Sequence, residues 1–343
     1  VSKRPTITDL ARVAGVSVAT VDRVLNRRHP VREDTAGRVL KAAQDLGFHA
    51  TELLRHRLRE EVPTRTFGFL LQKRTDYFYQ MFGTELAAAT RASPSVRGRP
   101  VVEFMDELAP AAIVEALLKV GPAVDALAVV AVDHPHVSQA IATLRARGVP
   151  TFTLLSDLTA EARAGYIGLD SRKAGRTAAW AIARTARAPG PVGVVVGSHR
   201  YLGQELCEIS FRSYFREYAP DFRLADALVN LEDPRIAHEA TLDLLHRRPD
   251  LVGIYVAGGG MDGVIRALRE EGAQGRVAMV CNELTPVTRA GLIDGVVTLV
   301  IATPLPALAA RAVDAMARAT AAPSPEPPTQ ILLPFELYIP ENI

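Results

Sequence analysis

Three groups of residues in this chain carry side chains that could do chemistry. Arg23 and Arg27 sit on a short helix-forming stretch, and the Arg23 guanidinium is long enough to bridge guanine O6 and N7 in a DNA major groove. Aromatic and polar residues gather directly after apolar runs, where a small hydroxylated molecule could be held. An aromatic face would take its C–H side, and carboxylates or amides its hydroxyls. The third group would be catalytic. His199 with Glu205 and Asp157 imitates an acid–base set, and Cys281 after an apolar run imitates a nucleophile, but neither has a partner at informative spacing. The reading is therefore not an enzyme. Cys207 and Cys281 are the only cysteines and lack metal-ligand spacing, and His134 and His136 flank a proline as turn residues, so neither metal nor cofactor is expected. Gly258-Gly259-Gly260 could cradle a phosphate through backbone N–H groups, yet no Lys-Ser/Thr follows it, which argues against a nucleoside triphosphate site.

The elements that must position the two arginines lie between Thr6 and Leu46. Thr6 and Asp9 make a capping-box pattern, and the helix they open carries Leu10, Val13 and Ala14 on one side. Gly15 suits a tight turn. Ser17 can cap a second helix with Val21, Val24 and Leu25 as its buried stripe. A third run, Val39, Ala42, Ala43 and Leu46, starts with Glu33 and Asp34 in its first turn, the end that favours acidic groups. Helix, turn and helix with arginines projecting is the geometry that sets one helix into a major groove. The charge agrees. Residues 1–65 hold 13 Lys/Arg against 8 Asp/Glu, net +5, and the remainder hold 27 against 30, net −3. A basic head on a mildly acidic body fits phosphate contact by the head alone.

Residues 8–17 (Thr8-Asp9-Leu10-Ala11-Arg12-Val13-Ala14-Gly15-Val16-Ser17), 20–26 (Thr20-Val21-Asp22-Arg23-Val24-Leu25-Asn26) and 31–48 together resemble the head of the LacI/GalR family of bacterial transcription regulators. The resemblance implies a homodimer that binds double-stranded operator DNA. Its affinity would change when a small molecule, often a sugar, enters a periplasmic-binding-protein-like core. Val18, Ala19 and Arg23 match base-reading positions, and Ser17, Thr20, Asn26 and Thr35 match phosphate-touching ones, with Thr6 and Arg27 as further DNA-side candidates. Asp22 stands where the family very often has Ser. Next in the family comes a short hinge helix that wedges a leucine into the minor groove. Here its Pro-Asn opening is replaced by Ala50-Thr51, and the wedge position is Arg57. Leu54 or Leu58 in a shifted register, or Arg57 itself, would then enter the groove.

From Pro63 onward, apolar runs alternate with helical patterns. Strands are expected at 66–71, 101–105, 126–132, 151–155, 166–169, 192–196, 224–229, 252–256, 277–281, 296–299 and 331–339. Continuous apolar strands with crossover helices are the mark of parallel sheets covered on both faces. With the resemblance, the fold class is an all-α helix-turn-helix head followed by a bilobed α/β core with two parallel-sheet lobes, periplasmic-binding-protein-like type I. The expected head is 1–49 and the linker 50–64. The lobe nearer DNA is 65–158 with 294–322, and the other lobe is 159–293 with 323–343. No run is apolar enough to span a membrane and none follows the first residues as a signal, so the expectation is a cytoplasmic protein with reduced thiols and no membrane partner.

In parallel α/β lobes a ligand lies beyond the carboxyl ends of the strands. The candidates are Asp76, Tyr77 and Phe78 after the first strand, Asp157 after the fourth, Arg200 and Glu205 in the second lobe, and Asn282 and Glu283 after the strand ending at Cys281. The resemblance carries the family's aromatic pair to Tyr77-Phe78 and its Asp to Glu283. Its arginine falls near Gln204-Glu205, so that donor is either moved to Arg200 or absent. Its Asn-Asp pair is replaced by the glycine triplet, and its Gln by Ala302-Thr303. The expected effector is a small polar molecule such as a sugar or polyol, neutral or cationic, because Glu283 would repel a phosphorylated one unless Lys73, Arg74 or Arg200 turned inward. The expected function is a ligand-responsive transcription regulator, a repressor of a catabolic or uptake operon. A solute-binding receptor is the first alternative, opposed by the basic head and the missing signal. An α/β enzyme fused to a DNA-binding head is the second, opposed by the missing catalytic set.

Overall fold

The Thr6 hydroxyl accepts from the Asp9 N–H at 3.3 Å while the Thr6 N–H donates to the Asp9 carboxylate at 3.0 Å, and this reciprocal cap starts α1 (Ile7–Ala14). The computed structural model describes residues 5–26, 31, 33–48, 51, 62–322 and 327–343. Gly15 ends α1 at φ +63°, a left-handed conformation in which a side chain would be strained. Ser17 then accepts from the Thr20 N–H at 3.1 Å and opens α2 (Val18–Asn26), and α3 (Glu33–Asp45) completes the head. Leu10, Ala14, Val21, Val24, Val39 and Ala43 are buried against one another. Val13 does not join them. It is 46% exposed and Ala11 is buried instead, because each residue turns the helix by about 100° and carries Val13 off the inward arc.

From Thr64 the chain builds two six-stranded sheets. The first contains β1 (Thr64–Gln72), β2 (Arg97–Met105), β3 (Ala126–Val129), β4 (Thr151–Leu154), β5 (Gly165–Leu169) and β11 (Thr329–Leu333), in the order β2-β1-β3-β4-β5-β11. The second contains β6 (Pro191–Val196), β7 (Arg223–Val229), β8 (Gly253–Val256), β9 (Ala278–Asn282), β10 (Leu299–Ala302) and β12 (Glu336–Tyr338), in the order β7-β6-β8-β9-β10-β12. β3, β6 and β8 are buried along their whole length, as strands covered on both faces must be. Helices α4 (Tyr77–Ala92), α5 (Pro110–Val120), α6 (Pro135–Ala146) and α12 (Leu305–Ala321) pack in the first lobe. The second lobe takes α7 (Ser171–Thr185), α8 (Leu202–Tyr218), α9 (Pro234–Arg247), α10 (Met261–Glu270) and α11 (Pro286–Ile293). No helix among the described residues is long and apolar enough to cross a membrane.

The chain passes between the lobes after β5, after β10, and between β11 and β12. The sheets therefore divide the chain differently from the expected boundaries. β5 pairs with β4 and β11, so the strand within 159–169 is part of the first lobe rather than the second. β10 pairs with β9 in the second lobe, although 294–322 was expected wholly in the first. The single closing strand expected at 331–339 is two strands in different sheets. Pro334, which cannot donate to a ladder, separates β11 on β5 from β12, which runs antiparallel to β10. Helix α11 was not anticipated. A reciprocal Thr285–Thr288 cap and Pro286 in its first turn open it, and the strand expected at 296–299 forms at Leu299–Ala302 instead.

Gly175 lets α7 and α8 pack closely. A Cβ there would lie 2.1 Å from the Cys207 carbonyl oxygen, a backbone atom that can move only with its helix. Gly175→Ala is expected to destabilise the core by about 1–3 kcal/mol, a fall of several degrees in Tm. Thermal denaturation reads this directly, and an unchanged melt would mean that the two helices part freely.

Candidate functional site

On the head, Ser17, Val18, Ala19, Arg23 and Asn26 are exposed along α2 and its cap, and Thr20 and Thr35 are half-buried. Val18 is 47% exposed, which takes it out of the head's core and leaves its methyls free for apolar contact. The Ser17 and Thr20 hydroxyls are hydrogen-bonded at 2.8 Å, and the Thr6 hydroxyl is engaged in its cap. Asn26 Nδ2 donates to Asp22 Oδ1 at 2.7 Å. The residue that replaces the usual serine thus holds the amide of the next phosphate-side candidate. Arg27, Leu54, Arg57 and Leu58 lie outside the described residues.

In the core, a cavity of 780 Å³ lies at the carboxyl ends of both sheets, lined from both lobes. Each sheet reverses its strand order beside its first strand (β1 next to β3, β6 next to β8), which opens a crevice at that point. Asp76, Tyr77, Phe78, Asn282 and Glu283 all line this cavity, as expected of strand-end positions. Asp76 caps α4, its Oδ1 accepting from the Phe78 N–H at 2.9 Å. Asn282 is occupied with the framework: Oδ1 accepts from the Tyr255 hydroxyl at 3.1 Å and Nδ2 donates to the Ala257 carbonyl at 2.9 Å. Glu283 accepts from the Thr303 N–H at 3.0 Å and from the Thr303 hydroxyl at 2.6 Å, where the chain leaves the second lobe.

Three expected ligand residues are not in the cavity wall. Asp157 is held within the first lobe by Arg163, at 2.8 and 2.9 Å, and by the Thr153 hydroxyl. Arg200 joins the lobes through its backbone, its carbonyl accepting from the Asp133 N–H at 2.7 Å, while the residue itself is exposed. Glu205 yields its place to its neighbour Gln204, which does line the cavity. The imitation acid–base set also dissolves: His199 Nε2 lies 2.9 Å from Glu208, which also accepts from Arg212. Cys207 and Cys281 are free and buried, and burial pushes the Cys207 thiol up to about 11 and the Cys281 thiol higher still, so neither is an activated nucleophile.

Glu232 is one of the lining residues that strand-end reasoning passed over, as is Asp262. The Glu232 carboxylate is held on both sides. Its Oε1 accepts from Gln204 Nε2 at 2.7 Å and its Oε2 from the Gly259 N–H at 2.7 Å. This pair explains the glycines around it. A Cβ at Gly197 or Gly259 would fall 1.6 or 2.1 Å from a Glu232 oxygen, and one at Gly258 would fall 2.6 Å from the Gln204 amide. The triplet is therefore a seat for a carboxylate and an amide, not a phosphate cradle. The signal was available: Glu232 follows β7, whose carboxyl end faces the same crevice.

Backbone strain gathers at this site. Of the five non-glycine residues described in the left-handed region, Lys73, Leu155, Glu232 and Glu283 line the cavity. Such conformations persist where surrounding structure holds them, and they concentrate at functional sites. Lys73 Nζ reaches across from the first lobe to donate to the Glu232 carbonyl at 2.6 Å, and Ser156 Oγ accepts from the Gly203 N–H of the second lobe at 3.1 Å. Burial raises the Glu232 carboxyl, opposed by Gln204, Gly259 and Lys73. Burial likewise pushes Glu283 up to about 7, against the two Thr303 hydrogen bonds and with help from Asp76.

Residues 67–323 match the periplasmic binding protein domain family, and residues 6–51 match the bacterial regulatory proteins of the lacI family. The chain is similar to the HTH-type transcriptional regulator RegA of Clostridium saccharobutylicum, 44% identical over 73 residues, 21% of each chain. It is also similar to the ribose operon repressor of Bacillus subtilis, 42% identical over 74 residues, 22% of each chain. The matched region thus spans about a fifth of the length of these curated relatives. The fold is shared with an ABC transporter solute binding protein from Agrobacterium vitis bound with α-D-tagatopyranose, at TM-score 0.74 and 20% identity over 81% of this chain and 96% of that one. Over most of its length the chain belongs to the periplasmic binding protein domain family, and the same polypeptide carries a lacI-type helix-turn-helix domain at residues 6–51.

Proposed function

We propose that this protein is a ligand-responsive transcription regulator, a repressor that binds operator DNA as a homodimer and is controlled by a small polar effector in the interlobe cavity. The observation that carries the reading is the exposed Ser17–Val18–Ala19–Arg23 surface of a helix-turn-helix head on the same chain as a two-lobed core with a lined cavity. The names of the relatives support repression, and the sugar held by the structural neighbour supports a hydroxylated effector. One small head makes few base contacts, so two heads on a site with approximate two-fold symmetry are needed for useful affinity. Effector and operator affinities are then coupled reciprocally, since both shift one lobe equilibrium. A transport receptor would use the core alone and leave the basic head without a role.

The test is binding of the full chain to a selected duplex and to random duplex, followed by fluorescence anisotropy across a salt series. Affinity should fall steeply with salt as phosphate contacts stop releasing counterions, and the selected site should be a near-palindrome. Binding that ignores salt, or no binding to any duplex, would overturn the reading.

A further inference from the structure

We propose that the effector carries a positively charged amino group, which the cavity receives among Asp76, Glu232 and Asp262 beside the hydroxyl of Tyr201. This rests on the regulator reading and names the chemical class of its effector. Six carboxylates line one cavity: Asp76 and Asp106 from the first lobe, and Glu232, Asp233, Asp262 and Glu283 from the second. Asp106 accepts from the Arg74 N–H and Asp233 is paired with Arg235, which leaves Asp76, Glu232, Asp262 and Glu283 as the group that faces a ligand. Asp76 acts on Glu232, Asp262 and Glu283, raising the proton affinity of each on top of burial.

The basic residues in the wall are fewer than the acids and offset only part of this. Lys73 and Arg74 are the lysine and arginine that line the cavity. The Lys73 ammonium is committed to the Glu232 carbonyl at 2.6 Å, and Arg74 lies over the Phe104 ring at 4.8 Å. Arg200 stays outside. Bringing the lobes together on a neutral molecule would take these acids further from water with only hydroxyl hydrogen bonds in exchange and no opposite charge, and an anion would meet like charge directly. An ammonium reverses the sign of the interaction.

Tyr201 supplies an independent sign of a missing partner. It lines the cavity, is 3% exposed, and its hydroxyl has no hydrogen-bond partner among the described residues. A buried hydroxyl left unpaired is costly, and a ligand N–H or O–H would satisfy it. Asp262, in the first turn of α10, likewise shows no hydrogen bond or ion pair among the described residues, so its oxygens are open to a donor. Phe78 and Tyr79 add aromatic surface to the wall, to which an organic ammonium is drawn and a sugar phosphate is not.

The experiment is calorimetry and thermal shift on the full chain with matched probes: D-glucosamine, D-galactosamine and D-glucamine, each against its hydroxyl parent, its N-acetyl form and its 6-phosphate where one exists. Calcium chloride alone serves as a further probe. An amine that binds roughly 10-fold or more tightly than both its parent and its neutral N-acetyl form supports the proposal. In Asp262→Asn, checked by its own unliganded melt, that ratio should shrink toward one. A parent or phosphate that binds as tightly as its amine, a response to calcium alone, no response to any amine, or a ratio untouched in Asp262→Asn would each overturn it. Duplex binding by the same preparation is read separately, so loss of the charge assignment leaves the regulator reading standing, and failure to bind DNA removes that reading instead.

Discussion

Arg23→Ala should abolish discrimination at one base position in each half-site, at roughly 1–3 kcal/mol per half-site, so that a symmetric dimer site feels the change twice. Arg23 is exposed on α2, in the last turn of a helix whose first turn presents Val18 and Ala19. Valine and alanine can make only apolar contacts, such as with a thymine methyl, so most of the hydrogen-bonded reading falls to the guanidinium. Arg27→Ala should behave differently, weakening binding about equally on all sequences and flattening the salt slope, as loss of a phosphate contact does. The measurement is the ratio of selected to random duplex affinity at fixed salt. Equal losses on both duplexes in Arg23→Ala would make it a phosphate contact and move the base reading elsewhere.

The head was legible because its signals are local. Thr6 with Asp9, Gly15, and Ser17 with Thr20 are each a short-range hydrogen-bond or backbone requirement that the sequence states within a few residues. The alternating core was legible for a similar reason, since continuous apolar runs such as Ala126–Val129 leave few other fates. Lobe membership was not. Whether Gly165–Leu169 or Leu299–Ala302 joins one sheet or the other depends on pairing with strands far away in sequence, and nothing in either run records it. The cavity wall shows the same division. Tyr77 and Glu283 follow strands and were found, whereas Arg200 and Asp157 follow strands too, but Arg200 stays exposed outside the wall and Asp157 is held by Arg163. Glu232 was missed because β7 is an edge strand, only partly buried, whose apolar pattern draws little attention to the loop after it.

Glu283→Gln should stabilise the protein at pH 8 and leave it nearly unchanged at pH 5. Glu283 is half-buried at the end of β9, with φ +67° and both oxygens directed to Thr303. Burial pushes its carboxyl from 4.5 up to about 7. Folding therefore takes up a proton between those values. The stability this group contributes is fully present below pH 4.5 and is lost as pH rises through about 7. The loss amounts to no more than about 3 kcal/mol, several degrees of Tm at this chain length. Glutamine stays neutral throughout, its carbonyl can accept from the Thr303 N–H, and its amide can donate to the Thr303 hydroxyl, so the junction where the chain leaves the second lobe keeps both hydrogen bonds. Thermal denaturation of wild type and variant at pH 5, 6, 7 and 8 should give melting curves that separate progressively, with the variant the more stable at the alkaline end. A difference that stays constant with pH would show that Glu283 is ionised throughout, and that Thr303 stabilises the carboxylate more than burial opposes it.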